Sequence, residues 1–225
     1  MNNQIVISAS QKLAPGACVS AEAYPGLTGS EFRNNEMGVN SFSIDPSLHA
    51  KLSASLSPAR LSTYLTAVGG DADQAIRLHV WNTAISAAFY GPLQSLEVTL
   101  RNALDQQLAK MFGPAWMDAP ACPLDAYGRW CIETAKRELS KAHADLAPSR
   151  IVAALSFGFW VSLLSPGGQL SWPSGPSAHY EMTLWRPVLR LAFPYASGSR
   201  KAVHRPINTL RTLRNRIAHH EPIFG

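Results

Sequence analysis

Through the middle of the chain, apolar residues recur every three to four positions, which predicts two long amphipathic helices. Ser57 is placed to cap the first, with a proline at the first helical position, and Gly69–Gly70 ends it. Asp71 caps the second, which continues to Gly113. The Gly91–Pro92 step inside the second helix is expected to kink or split it.

The rest of the chain continues the helical pattern. Residues 124–146 predict a third helix, and the nearly continuous apolar run of residues 148–164 predicts a central buried helix. Residues 181–193 predict a short helix interrupted near Pro187, and Ser199 caps a final helix. Because no segment alternates as a strand would, we expect an all-α fold, a bundle of about five to seven helices.

The N-terminal segment differs from the rest. Residues 1–42 carry Asn, Ser, Gly and Pro without a sustained period, which predicts an irregular or disordered extension before a helical domain of residues 43–225. Met37, just before the ordered pattern, is a second candidate start of the chain. With no basic segment before an apolar core and no apolar run of about 18 residues, neither a signal peptide nor a membrane span is expected.

Charge and cysteine content narrow the function classes. The formal charge of +5 and pI of about 9.3 favour an anionic partner, nucleic acid first. Three cysteines without a CxxC pair argue against a disulfide framework and a thiolate zinc site. We therefore expect a cytoplasmic protein, in a reducing compartment.

Arginine 214 stands out in the final helix. It falls near the middle of an apolar stripe formed by Val203, Ile207, Leu210, Leu213 and Ile217. A buried or half-buried arginine is costly unless it is paired, so Arg214 predicts a carboxylate neighbour or a partner chain. In the alternative, its long stem extends along the apolar surface to water.

A carboxylate in the second helix is a candidate partner. Glu97 lies near the leucine stripe of that helix, and Arg101 and Asn102 follow one turn later. Two pairings stay open: a local one with Arg101, four residues on, or one across the bundle with Arg214. If the second forms and is buried, loss of Glu97 should destabilise the fold by a few kcal/mol.

The end of the final helix carries a second set of polar side chains. Arg211, Asn215 and His219 follow at i,i+4 spacing, so Asn215 can orient the His219 ring and Arg211 can add positive charge. Alternatively, His219 is a helix-terminal histidine that the macrodipole stabilises. His219, His220 and Glu221 suggest a metal cluster, but the two adjacent imidazoles would diverge by about 100° on a helix and HExxH is absent, so no metal is expected.

Other basic and aromatic residues are candidates for RNA contact. The basic side chains of the final helix could follow a phosphate backbone or simply face solvent. They are Arg200, Lys201, His204, Arg205, Arg211 and Arg216. The preceding loop holds Trp172 and Tyr180, which we expect to be exposed; the loop either touches RNA or is an ordinary surface loop.

The segment RNRIAH, from Arg214 to His219, resembles the signature of HEPN domains: Arg, a polar residue, three variable residues and His. LEVTLRNAL, FGPAWMD, LSFGFWVSLLS, LWRPVLRLAFP and LRNRIAHHEPIF resemble blocks of Abi-like (abortive infection) proteins, in that family's order. The resemblance covers residues 57–224. The chain departs from the family in ending directly after HHEPIFG, where relatives often continue.

The resemblance implies an all-α HEPN fold and a metal-independent endoribonuclease without a cofactor, acting as a toxin or phage-defence effector. It implies a homodimer with a composite cleft, an RNA substrate such as tRNA or mRNA, and a possible antitoxin protein. By position, Arg214 and His219 are the catalytic pair, with Asn215 in support. The remaining supporting positions are Glu97, Arg101, Asn102, Arg211, His220 and Glu221.

These residue types suit RNA cleavage. Histidine, which titrates near neutral pH, can take the proton of the 2′-hydroxyl or give one to the 5′-oxygen, and arginine can stabilise charge on phosphorus. Arg214 and His219 are about 140° apart on an ideal helix, which favours a site shared across a two-fold axis. The alternative is a non-catalytic HEPN-like module that binds RNA or a protein.

Overall fold

The computed structural model describes Lys51 and residues 55–224. The predicted extension of residues 1–42 lies outside this range. Between residues 55 and 224 the chain forms helices and loops, with an isolated pairing of Gln169 with Ser177 and no strand. The all-α prediction is therefore confirmed.

Six α-helices lie between Pro58 and Ala218, within the predicted number. They are α1 (Pro58–Ala67), α2 (Ala72–Phe112), α3 (Ala126–Lys141), α4 (Pro148–Ala154), α5 (Phe157–Ser162) and α6 (Arg200–Ala218). Shorter helical turns are a 3₁₀ turn at Trp116–Asp118, a wide π turn at Glu181–Trp185 and a second 3₁₀ turn at Leu189–Ala192. None of the described helices has the length and apolar character needed to cross a membrane.

The predicted helix starts are confirmed by their caps. The side chains of Ser57, Asp71 and Ser199 each accept a hydrogen bond from a backbone N–H three residues on, at 3.0–3.3 Å. These bonds satisfy N–H groups that a helix leaves without internal partners. The Gly91–Pro92 step does not split α2, which runs unbroken for 41 residues.

The apolar run of residues 148–164 was predicted to form one helix, but it forms two. Leu155 adopts an extended conformation, and the Ser156 hydroxyl accepts a hydrogen bond from the Phe159 N–H at 3.3 Å. A serine that caps the next helix competes with continuation of the previous one, which explains the break. The predicted burial holds, since Phe157, Phe159 and Trp160 are fully buried.

The predicted short helix over residues 181–193 is also divided. A π turn ends at Trp185, and a 3₁₀ turn begins at Leu189 beyond Pro187. Proline clashes with the preceding turn of a regular helix, which accounts for the separation of the two turns.

The main core forms around the C-terminal half of α2. Leu100, Leu104 and Leu108 pack there with apolar side chains of α3, α4 and α5. Trp116 is buried among them, and its Nε1 donates to Asp105 Oδ1 at 2.8 Å. Helix α6 packs on α2 and α5, with Val203 and Ile207 against the core. This packing brings the C-terminal part of α6 to the middle of α2.

Candidate functional site

The ion pair predicted across the bundle is present. Arg214 Nη2 lies 3.2 Å from Glu97 Oε2, where α6 crosses α2. The pair forms part of an open groove of about 300 Å³. The groove is also lined by Tyr90, Leu93, Gln94, Val98, Arg101, Ile217 and Ala218. The Arg214 side chain is 41% exposed and that of Glu97 24%, so water reaches this pair.

Arg101 adds a second cation to the groove. Its Nε donates to Asn102 Oδ1 at 3.3 Å. Within residues 55–224, Glu97 pairs with Arg214 rather than with Arg101, its neighbour one turn on. The groove therefore carries two guanidinium groups against one carboxylate, an arrangement that attracts an anion.

His219 lies outside the lining of this groove. Helix α6 ends at Ala218, and His219 is the exposed residue that caps it. Its backbone N–H donates to the Asn215 carbonyl at 2.9 Å. In the described region no side-chain hydrogen bond joins Asn215 to the His219 ring, and Arg211 donates instead to Asn208 Oδ1 at 2.9 Å. Within one chain, Arg214 therefore lies in the groove, whereas His219 is exposed to solvent at the end of α6.

His220 and Glu221 terminate the helix. His220 has a left-handed backbone (φ 56°), and its N–H donates to the Ile217 carbonyl at 3.1 Å. The Glu221 N–H reaches back to the Arg216 carbonyl at 2.8 Å. These two bonds form a Schellman motif, in which glycine or asparagine is the usual left-handed residue. The backbone of this pair thus ends the helix, and the supporting role of the two side chains stays a prediction.

The residues after the turn dock on the N-terminal hairpin of α1 and α2. Ile223 N–H donates to Oδ1 of the buried Asn82 at 2.8 Å. The rings of Phe224 and Tyr64 lie 5.3 Å apart, and the Tyr64 ring also meets His79 edge-on at 5.1 Å. Burial, and then the Arg60 charge, lowers the pKa of His79. Ile223 and Phe224 thereby hold the residues after α6 against α1 and α2.

The predicted RNA-contacting arginines and lysine differ in their availability. Arg200 is only 11% exposed, and its guanidinium bonds Glu181 Oε2 at 3.0 Å and the Leu164 carbonyl at 2.6 Å. Arg200 therefore anchors the start of α6 and is not free to contact phosphate, although the sequence predicted such a contact. Within the described residues, Lys201, Arg205 and Arg216 form no ion pair; the first two are exposed and Arg216 is half-buried.

One aromatic residue is buried where the sequence predicted exposure, and two exposed ones were not among the predicted site residues. Tyr180, expected to be exposed, is fully buried, and its hydroxyl accepts from the Asp125 N–H at 2.8 Å. Trp172 is exposed as expected, and it lies beside Tyr127 and Trp130 of α3. The spacing of Tyr127 and Trp130, three apart on a helix, was the available signal for a shared aromatic face.

Two further observations concern cysteines and metals. Cys122 and Cys131 are both free thiols, and burial raises the pKa of Cys122 to about 12. Within the residues that the structure describes, no three His, Cys, Asp or Glu side chains are grouped so as to hold a metal ion.

Comparisons with protein-family models, curated proteins and solved structures give no match to this chain.

Proposed function

We propose that the chain is a metal-independent endoribonuclease of the HEPN type. The observation that carries the proposal is the position of Arg214, half-exposed at the wall of an open cationic groove, five residues before the exposed His219. Arginine in a groove recognises phosphate, and an exposed imidazole nearby can transfer protons. The RNRIAH segment that joins them is the part of the chain that resembles HEPN domains.

The reaction uses the nucleophile that RNA itself carries. His219 takes the 2′-hydroxyl proton as that oxygen attacks phosphorus, and the bond from phosphorus to the 5′-oxygen breaks. The leaving oxygen takes a proton from solvent, to which His219 afterwards returns its own, giving a 2′,3′-cyclic phosphate and a 5′-hydroxyl. Arg214 stabilises the added negative charge on the phosphoryl oxygens. Because only its Nη2 is engaged by Glu97, its other N–H donors remain for phosphate. DNA lacks the 2′-hydroxyl and is not a substrate.

The geometry of α6 supports a shared site. Residues five apart on a helix diverge by about 140°, so one chain does not direct both groups at one phosphate. A homodimer that faces two α6 ends would bring Arg214 of one subunit towards His219 of the other. In this proposal the protein acts in the cytoplasm on tRNA or mRNA, as a toxin or abortive-infection effector restrained by an antitoxin.

A second function has its own supporting observation. No side-chain hydrogen bond orients the His219 ring within residues 55–224, and Arg214 is already bound to Glu97. A non-catalytic module that binds RNA or a protein through the same groove needs neither group to be poised. The two functions differ in whether His219 is required for turnover.

The test is incubation of the wild type and His219→Asn with mixed tRNA and structured RNA in EDTA, followed by end-group analysis. We expect cyclic phosphate ends from the wild type alone. His143→Asn, at an exposed histidine after α3, is the matched control and should cleave like the wild type. Binding without cleavage by all three proteins would refute the nuclease and favour the binding module.

A further inference from the structure

A cleft on the surface of α3 is lined by aromatic side chains. Tyr127, Trp130 and Trp172 enclose about 430 Å³ together with Ala126. Trp172 is 76% exposed and Trp130 60%, and the rings of Tyr127 and Trp130 lie 6.1 Å apart in a stacked arrangement. Three large aromatic side chains grouped on a surface mark an interaction site more often than an incidental exposure.

The loop that presents Trp172 is fastened to the start of α3. The buried Asp125 accepts hydrogen bonds from the N–H groups of Gly128 and Gly168, each at 2.7 Å. The Ala126 N–H donates to the Gln169 carbonyl at 2.8 Å. Both carboxylate oxygens are thus occupied by backbone donors, so Asp125 fixes the loop, while its charge still acts on the nearby Tyr127.

A polar pocket of about 280 Å³ adjoins the aromatic cleft and shares Tyr127 with it. Its polar lining consists of Ser162, Ser165, His204, Asn208 and Arg211. The bond from Arg211 Nε to Asn208 fixes the guanidinium, and within the described residues no carboxylate pairs with it.

We propose that these two adjoining pockets bind one unpaired nucleotide of a single-stranded RNA. The base stacks between the rings of the cleft, with Trp172 and Trp130 as its main contacts. The phosphate takes hydrogen bonds from Arg211 and from the Ser165 hydroxyl, since Ser162 already donates to the Phe159 carbonyl. Aromatic platforms beside a cation are the arrangement by which proteins hold single strands without reading their sequence.

The adjoining charge favours RNA over a proline-rich peptide as the occupant. Such a peptide would use the aromatic rings but would not require the unpaired Arg211 or the hydroxyl groups next to them. Burial, followed by the charges of Arg200 and Arg211, lowers the pKa of His204. A neutral imidazole can donate to or accept from a nucleotide without competing for the phosphate.

This inference rests on the proposed function only in taking RNA as the ligand, because the pockets are separate from the Arg214 groove. It makes the cleft a substrate-holding site rather than part of the reaction. It therefore predicts a loss of affinity, and not of catalytic competence, when the rings are removed.

The experiment measures binding of a fluorescein-labelled 12-nucleotide oligouridylate to the full chain carrying His219→Asn, by anisotropy. We expect Trp172→Ala and Trp130→Ala each to weaken binding by about 10-fold. Arg211→Gln should weaken it and lower the slope of log affinity against log salt by about 1. Tyr195→Ala, at another fully exposed ring, and Lys110→Gln, at another exposed cation, are the matched controls and should bind normally.

Equal affinity of the tryptophan variants and the parent would overturn the inference, as would displacement of the RNA by a proline-rich peptide. In the chain with His219 intact, Trp172→Ala should raise KM several-fold and leave kcat unchanged. RNA binding that depends on Trp172 without cleavage by any variant would defeat the nuclease and retain this site. Cleavage by Trp172→Ala with an unchanged KM would support the nuclease and overturn this binding site.

Discussion

Replacing Glu97 by glutamine removes one charge of the pair that holds Arg214 at the wall of the groove. Two unit charges about 4 Å apart attract by roughly 1 kcal/mol in water and roughly 4 kcal/mol at an effective dielectric constant near 20. Lost hydration and side-chain ordering offset most of this, and exposed pairs contribute about 0.2–1 kcal/mol. Since the two side chains are 24% and 41% exposed, we expect a coupling energy of about 1 kcal/mol.

A double-mutant cycle measures that energy directly. The free energy of unfolding in urea is determined for the wild type, Glu97→Gln, Arg214→Gln and the double variant, and the non-additive part is the coupling. A value near 3 kcal/mol or above would refute the reasoning, because it is the size expected when a buried pair is broken. A value near zero would show that the pair contributes nothing measurable to stability.

The same variant separates stability from function. In the proposed nuclease, Glu97 competes with phosphate for Arg214, so Glu97→Gln should tighten RNA binding several-fold while Arg214→Gln weakens it. The matched control is Asp73→Asn, which neutralises an acidic residue at the far N-terminal end of α2. Weaker RNA binding by Glu97→Gln would indicate that the carboxylate positions Arg214 rather than competing with the phosphate.

Three further predictions concern polar side chains that are buried or half-buried. Asn82→Ala removes the acceptor of the Ile223 N–H and should lower the free energy of unfolding in urea by about 1–3 kcal/mol. Asp125→Ala strands two backbone donors and should cost about 2–4 kcal/mol in the same assay. Because the folded state lowers the pKa of His79, unfolding takes up a proton below about pH 6.5, so stability should fall with pH there, and less steeply in His79→Gln.

Each of these has a contrary outcome. Asp125→Asn keeps one acceptor oxygen and should lose less stability than the alanine variant; equal losses would contradict the two-bond account. An Asn82→Ala protein as stable as the wild type would show that the tail does not dock in solution. An unchanged pH slope of the unfolding midpoint in His79→Gln would assign the acid sensitivity to other groups.

Features governed by neighbouring residues could be predicted from the sequence. The caps at Ser57, Asp71 and Ser199 depend on one side chain and a backbone group three residues away, and all three form. The pairing of Glu97 with Arg214 also followed, since a charge within an apolar stripe needs a partner. The few kcal/mol predicted for a buried pair does not apply at this exposure, because exposure depends on how closely α6 lies on α2, which no local pattern encodes.

Features that depend on distant contacts could not be predicted. The aromatic cleft forms only because Asp125 binds Gly168, 43 residues along the chain. Tyr180 is buried by the same loop, although its sequence neighbours are polar. The break at Ser156 had a local signal in the serine itself, but the apolar residues on both sides favoured a single helix.

The unbroken passage of α2 through Pro92 has a mechanical consequence. Proline has no N–H, so the helix lacks one internal bond there, beside the groove residues Tyr90 and Leu93. The preceding arm of about 20 residues is about 30 Å long, so a bend of about 10° at this joint displaces its tip by about 5 Å. A distance probe at the tip of this arm should therefore report even a small bend at Pro92.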